Sequence, residues 1–566
     1  MVIRTASDEE YEGKRGKFMS EVLGAAIVAK ALKSMGVETL FFLSGSPSTD
    51  IYKTSQKIGI KIIDVRHEQA AAMMAHAYSR VTGRTGVCIS GAGPDSLNLT
   101  TGLAVAFLDA CPIVAISGSG SLNTMAMDGF QDLDQISVMK PIVKRAWQAP
   151  LAKRIPYFVG MAFRHASANR PGPVYLDLPA NLLAERIEES EVEETPEPPV
   201  KRRPLGDSDL IRQAIEILLR AERPIIMSGS GVLWSEASSE LQEFVDIINI
   251  PFYTTPISRG VIPEDHPLYF GGARTKALRE ADALLVVGAR PTFILSFLQP
   301  PRISSQAKII MINIDAEEIG HNRRVDVGIQ GDAKAVLKQL IEEAGQKFKD
   351  RRPLSWVEHL RKADEERQTK ILPRLNSNAK PIDPMRLCKE IREFIPRDTI
   401  LVEDGHDTLN YARQIIPSYY PGHRLNPGVS GCMGVGVPFG IGAKVAKPDK
   451  PVLVFSGDGA FGFNGMEMHT AIRHNIPIVV VINNNRGWVA KRREETFPGQ
   501  DLGLVRYDKI IESLGGYGEL IENPDDIRGA LERAFSCGKS ALVNVITDEY
   551  AKSETQQFAA DIASVI

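Results

Sequence analysis

The sequence predicts an α/β protein of three doubly wound parallel-sheet domains, and three observations carry that reading. Short apolar runs such as ETLFFL, IKIIDV, PIIMSG, TILVED and IPIVVVI recur along the chain, and an apolar residue at almost every position marks a strand covered on both faces. Between them stand stretches of helical periodicity, DLIRQAIEILLRA and MRLCKEIREFI among them. Two polar or charged stretches, 187–206 and 346–380, divide this alternation into three blocks, as expected of a 566-residue chain too long for one core.

The expected boundaries follow. Residues 1–19 form a charged N-terminal extension, 20–190 the first domain, 191–206 a linker, 207–345 the middle domain, 346–380 a second linker, 381–548 the third domain and 549–566 a tail. In the first domain Ser20 reads as the N-cap of a helix running to Gly36, followed by strand ETLFFL, a turn at Gly45-Ser46-Pro47, a helix and strand IKIIDV. Arg66-His67-Glu68 then opens the small-residue helix QAAAMMAHAYSRVTG, and strands TGVCIS, PIVAIS and GPVYLDLP complete the block. The middle domain shows strands PIIMSG, ALLVVG and KIIMINI; the third shows TILVED, PVLVFS, IPIVVVI and ALVNVI. The tail reads as a frayed end or a docked lid.

Composition narrows the function. With 43% hydrophobic and 24% charged residues and a net charge of -3, nothing calls for nucleic acid or an anionic membrane as partner. The sequence offers no apolar run of membrane-crossing length and no signal-peptide core at its start, so a cytoplasmic protein is expected. The five cysteines lack CxxC spacing and read as buried thiols.

The chemistry concentrates in 457–487. Strand PVLVFS runs into Gly457-Asp458-Gly459, and strand IPIVVVI ends in Asn483-Asn484-Asn485. Two adjacent parallel strand ends would bring a carboxylate, amide oxygens and bare backbone together as hard donors for magnesium or calcium, with a diphosphate completing the shell. A Gly-rich strand-to-helix turn beside an Asn-rich turn is the plainer alternative.

This stretch resembles the diphosphate-anchoring motif of thiamine-diphosphate (ThDP) enzymes, and the resemblance extends over the chain after residue 20. It implies pyrimidine-binding, middle and diphosphate-binding domains in that order. Asp458 and, twenty-seven residues later, Asn485 then bind Mg2+ with the carbonyl of Gly487, and Gly459 lies beside the cofactor. Glu68 is the carboxyl group that hydrogen-bonds the aminopyrimidine and promotes loss of the thiazolium C2 proton. Its place among Ala and Met favours a proton-sharing acid, although a helix N-terminal Glu is also explained by the helix dipole. In NPGVSGCMGVGVP, Met433 would wedge the cofactor into a V while the Gly431 carbonyl accepts from its 4′-amino group; Met433 alone would read as a gap-filler.

Finer signals resemble 2-hydroxyacyl-CoA lyases and, less closely, oxalyl-CoA decarboxylases: Gly288-Ala289-Arg290, Pro300-Pro301-Arg302, EDGHDT and PGHRLNPG. The flavin-site pattern of acetolactate synthases is absent, since Arg290 is followed by PTFILSF. The resemblance implies an acyl-CoA substrate, with Arg290, Arg302, Asp315 and Arg274 as residues for its nucleotide; each is also readable as a solvated surface group. Gly129-Phe130-Gln131, with Gln135, resembles the lyase pattern whose amide meets the substrate carbonyl. Glu494, with Glu495 as fallback, is the expected base for the substrate hydroxyl, or a member of the solvated run KRREE. The implied reaction is cleavage of a 2-hydroxyacyl-CoA to formyl-CoA plus an aldehyde or ketone. Oxalyl-CoA decarboxylation and a non-catalytic ThDP-fold regulatory subunit are the alternatives. A homodimer or homotetramer is implied, because the family builds its site from two subunits.

Overall fold

A computed structural model describes residues 21–345, 347–349, 355–490 and 499–553. Three open sheets appear, one per predicted domain, each wholly parallel. The first has six strands ordered Lys61–Asp64, Thr39–Phe42, Gly86–Ser90, Ile113–Ser119, Val174–Pro179 and Arg145–Gln148. The third has the same order: Arg424–Leu425, Ile400–Asp404, Val452–Gly457, Val479–Asn484, Ala541–Ile546 and Tyr517–Ile521. The middle sheet has five: Phe252–Thr254, Pro224–Ser228, Ala283–Val287, Lys308–Asn313 and Val327–Gln330.

In every sheet the first and third strands of the sequence lie side by side while the second sits outside. The connections therefore leave in opposite directions from that gap, which opens a crevice beyond the carboxyl ends of the strands.

The central strands are the apolar runs seen in the sequence, and their side chains are almost completely buried. Strands without a sequence signal, Arg145–Gln148, Phe252–Thr254, Val327–Gln330, Arg424–Leu425 and Tyr517–Ile521, all lie at sheet edges, where pairing on one side requires no continuous apolar run. At the start of the first domain the expectation needs correcting. Glu21–Leu23 is a strand paired antiparallel with Arg186–Glu188, and the helix begins only at Gly24, so Ser20 is not its N-cap. Val22 and Ile187 are buried by this pairing, which fastens the end of the first domain to its beginning. The second linker contains the helix Ser355–Leu375. No described helix is long and apolar enough to cross a membrane.

The outer domains share one core. A continuous cluster runs from Phe41, Met73 and Cys88 of the first to Val402, Phe439 and Val454 of the third. At its centre the helix Glu68–Thr82 packs on the helix Gly436–Ala446. Their backbones approach so closely that a Cβ on Gly442 would stand 2.4 Å from the Met74 carbonyl oxygen. Ala70, Ala71, Ala72, Ala75 and Ala77 explain the rest of the approach: small side chains let the helices touch.

Candidate active site

The predicted metal ligands meet at the carboxyl ends of two neighbouring strands of the third domain, Val452–Gly457 and Val479–Asn484, beside its switch point. Strand Val452–Gly457 delivers Asp458, which begins the helix Asp458–Asn464 and is almost fully buried. Strand Val479–Asn484 delivers Asn485 beside it. Asp458 Oδ2 accepts from the Gly487 amide at 3.0 Å. The inward-facing amide atom of Asn485 lies 2.8 Å from the Gly487 carbonyl oxygen and 3.0 Å from Asp458 Oδ1. In the protein alone the amide nitrogen occupies that place and donates to both.

With the amide oxygen turned in, it stands from the Gly487 and Asp458 oxygens at the spacing of neighbouring magnesium ligands, about 3.0 Å for octahedral bonds of about 2.1 Å. The residues therefore fit the metal. Burial pushes the Asp458 carboxyl up to about 7 in spite of the Gly459 and Gly487 amides, the imbalance a bound cation would relieve. Gly459 lies beneath the Trp488 ring, and the Tyr507 hydroxyl donates to the Asp458 carbonyl at 3.1 Å.

The loop carrying Gly431 and Met433 is fixed by a residue of the EDGHDT stretch to which the sequence assigned no role. Asp404, at the end of strand Ile400–Asp404, is 1% exposed; its Oδ2 accepts from Gly434 N at 3.0 Å and from Gly436 N at 2.8 Å. Asn464 Nδ2 donates to the Gly434 carbonyl at 2.7 Å. Gly434 has φ +89°, a left-handed conformation that only glycine adopts without strain. Met433 is half-buried, immediately before the tethered Gly434.

Glu68 is 3% exposed at the N-terminus of its helix. Asn98 Nδ2 donates to its Oε2 at 2.9 Å, and Oε1 has no hydrogen-bond partner among the described residues. One carboxylate oxygen is therefore oriented and the other is free for a ligand.

Of the two glutamines in the lyase-like stretch, Gln135 is saturated: Oε1 accepts from Gly93 N, and Nε2 donates to Gly118 O, Tyr175 OH and Asp177 Oδ2. Its amide is structural. Gln131, at φ +58° against Gly93, makes no hydrogen bond among the described residues and keeps its amide available. Glu494 and Glu495 lie outside the described residues.

The four candidate nucleotide residues fall into two groups. Arg290 donates to the Leu108 carbonyl of the first domain and stands 3.8 Å from Glu318, while Asp315 caps a turn through Glu317 N; both act on Arg170. Arg274 lies elsewhere, near enough to Arg302 to be affected by it, and burial pushes its guanidinium down. Near enough to feel its charge is Arg413, another residue absent from the sequence expectation. Burial and then Arg274 push Arg413 down to about 10. Neither Arg274 nor Arg413 has a carboxylate within 4 Å among the described residues, and Arg413 Nη2 donates to Asn410 Oδ1 at 2.5 Å.

An α/β protein with this cofactor cradle is defined as a thiamine pyrophosphate enzyme, and the chain belongs to that family. Its residues 23–138, 211–340 and 407–545 match the N-terminal TPP binding, central and C-terminal TPP binding domain models of thiamine pyrophosphate enzymes. Thiamine diphosphate is accordingly its cofactor, and magnesium is the usual partner metal. The chain is 34% identical to a 2-hydroxyacyl-CoA lyase of Oryza sativa over 94% of itself and 97% of that protein. It is 35% identical to an acetolactate synthase large subunit of Mycobacterium tuberculosis over 92% and 95%. An oxalyl-CoA decarboxylase of Escherichia coli is 32% identical over 94% and 96%.

Proposed function

We propose that this enzyme is a carbon-carbon lyase that cleaves a 2-hydroxyacyl-CoA to formyl-CoA and an aldehyde or ketone, and joins the two in reverse. The observation that carries the CoA reading is the neighbouring pair Arg274 and Arg413. Two half-buried guanidiniums near each other, with no carboxylate in contact with either among the described residues, favour a bound anion, and the phosphates of an ADP moiety are such an anion. Similarity to 2-hydroxyacyl-CoA lyases over nearly their full length supports the same substrate class. The sequence after Arg290 lacks the flavin pattern, which argues against acetolactate synthesis.

Bound thiamine diphosphate supplies a nucleophilic carbon and a sink for the electron pair left by cleavage. Asp458, Asn485 and the Gly487 carbonyl would hold a magnesium ion for its diphosphate. Glu68 would share a proton with the aminopyrimidine nitrogen through its free Oε1, and Met433 would support the cofactor. Gln131 turns its amide to the thioester carbonyl, and Glu494 takes the proton of the 2-hydroxyl. Arg290, Arg302 and Asp315 remain outer candidates for the nucleotide. The first domain of one subunit and the third of another complete each site, so the working unit is at least a homodimer in the cytoplasm.

The test is incubation with ThDP, magnesium and linear and branched 2-hydroxyacyl-CoAs, with formyl-CoA as the expected product. Carbon dioxide from oxalyl-CoA, with full turnover retained by Glu494→Gln, would replace the lyase reading with a decarboxylase. Acetolactate from pyruvate would replace both, and failure to bind ThDP would indicate a regulatory subunit.

A further inference from the structure

The turn that presents Glu68 is gripped by the third domain of its own chain. Glu467, 1% exposed at the start of the helix Glu467–Arg473, directs Oε1 at two consecutive backbone amides, Arg66 N at 2.9 Å and His67 N at 3.0 Å. Its Oε2 accepts from the Thr470 hydroxyl at 2.7 Å. The other end of the turn is tied to the same helix region. Asp64 pairs with Arg473 and, at 2.7 Å, with His474, while the Arg473 guanidinium also donates to the Asp64 carbonyl at 2.7 Å.

Residues 64–67 are therefore held at both ends by a segment that begins nine residues after Asp458. Three donors do not fully offset the cost of this site: burial pushes the Glu467 carboxyl up to about 7. Stability alone gives no reason to bury an acid there.

We propose that Glu467 is a positioning residue, which fixes the backbone immediately before Glu68 and thereby sets where the free Glu68 Oε1 meets the aminopyrimidine ring. It acts through the peptide and touches neither cofactor nor substrate. The inference rests on Glu68 being the residue that acts on the cofactor, and the experiment separates the two.

Full-length protein is prepared as wild type, Glu467→Ala, Glu467→Gln and Glu68→Gln. Three quantities are measured: the ThDP dissociation constant with magnesium, exchange of the bound cofactor's C2 proton with deuterium oxide, and amide exchange over residues 64–70 without cofactor. Glu467→Ala is expected to slow C2 exchange by about tenfold or more and to speed amide exchange at Arg66 and His67, with ThDP affinity changed by less than about threefold. Glu467→Gln keeps an oxygen for both amides, and its nitrogen can donate to a turned Thr470 hydroxyl, so it should stay within about threefold of wild type. Should the alanine variant fail to fold, Glu467→Asp withdraws the acceptor by one methylene and should slow exchange by at least about threefold. Wild-type C2 exchange in Glu467→Ala or Glu467→Asp, with Glu68→Gln slow, overturns the positioning role alone. Unslowed exchange in Glu68→Gln overturns the reading of Glu68 itself.

Discussion

Replacing Asp404 should loosen the Met433 loop, and the structure indicates by how much. Its carboxylate is the acceptor for two buried amides, Gly434 N and Gly436 N. An alanine leaves both without that partner at roughly 1–3 kcal/mol each, partly offset by removing a buried carboxyl, so a net loss of about 2–4 kcal/mol is expected. Burial raises the Asp404 carboxyl to about 7 from 3.8.

The sign of the linkage follows from that direction. The raised group favours the folded state fully below about pH 4, and this contribution is lost as pH rises through about 7, at about 1.4 kcal/mol for each pH unit between those limits. Asp404→Asn keeps an oxygen for the two amides but does not titrate. It should therefore be the less destabilised variant, and its stability should vary less than wild type's between pH 5 and 8. Urea unfolding across that range measures stability, and calorimetric titration measures ThDP affinity, which Asp404→Ala should weaken. If Asp404→Ala and Asp404→Asn were equally stable, or Asp404→Ala retained wild-type ThDP affinity, the tether would not be what holds the loop.

Other outcomes follow from the same geometry. Asp458→Asn should abolish magnesium-dependent ThDP binding while leaving the unfolding midpoint nearly unchanged, as calorimetry and urea denaturation would register. Met433→Ala should lower kcat by about tenfold or more, near 1.4 kcal/mol, at little change in ThDP affinity. Arg274→Gln or Arg413→Gln should raise the acyl-CoA KM by about tenfold with kcat retained, and the double variant should cost less than the product of the two because the pair serves one anion. Mixing unfolded and refolded Glu68→Gln and Asp458→Asn chains should restore about a quarter of wild-type activity if each site draws on two subunits; no recovery would place the whole site in one chain.

Much of this architecture is legible in the sequence because buried parallel strands and the GDG and Asn-rich turns write themselves as continuous local signals. The residues that escape such reading do their work across long sequence separations. Asp404 lies in the EDGHDT stretch, but what it holds shows only when the fold brings Gly434 to it. Arg413 looks like a surface residue of a helix until Arg274 comes near it from another domain. Asn98 and Glu467 become meaningful only through Glu68 and the turn before it. Ser20 misleads because a polar residue before a helical pattern looks like a cap, whereas the partner strand that claims Glu21–Leu23 lies far along the chain. Gln135 resembles a ligand-facing amide, yet its four partners come from scattered positions.

The contact at Gly442 has a consequence for how such an enzyme can change. Where two helices meet backbone to backbone, no side chain is available to act as a shim, and the gauge between the first and third domains of one chain is set by main-chain atoms. Loops at the rim can then be exchanged for new substrates without retuning that interval. A single added methyl at the point of contact would spread the two domains apart.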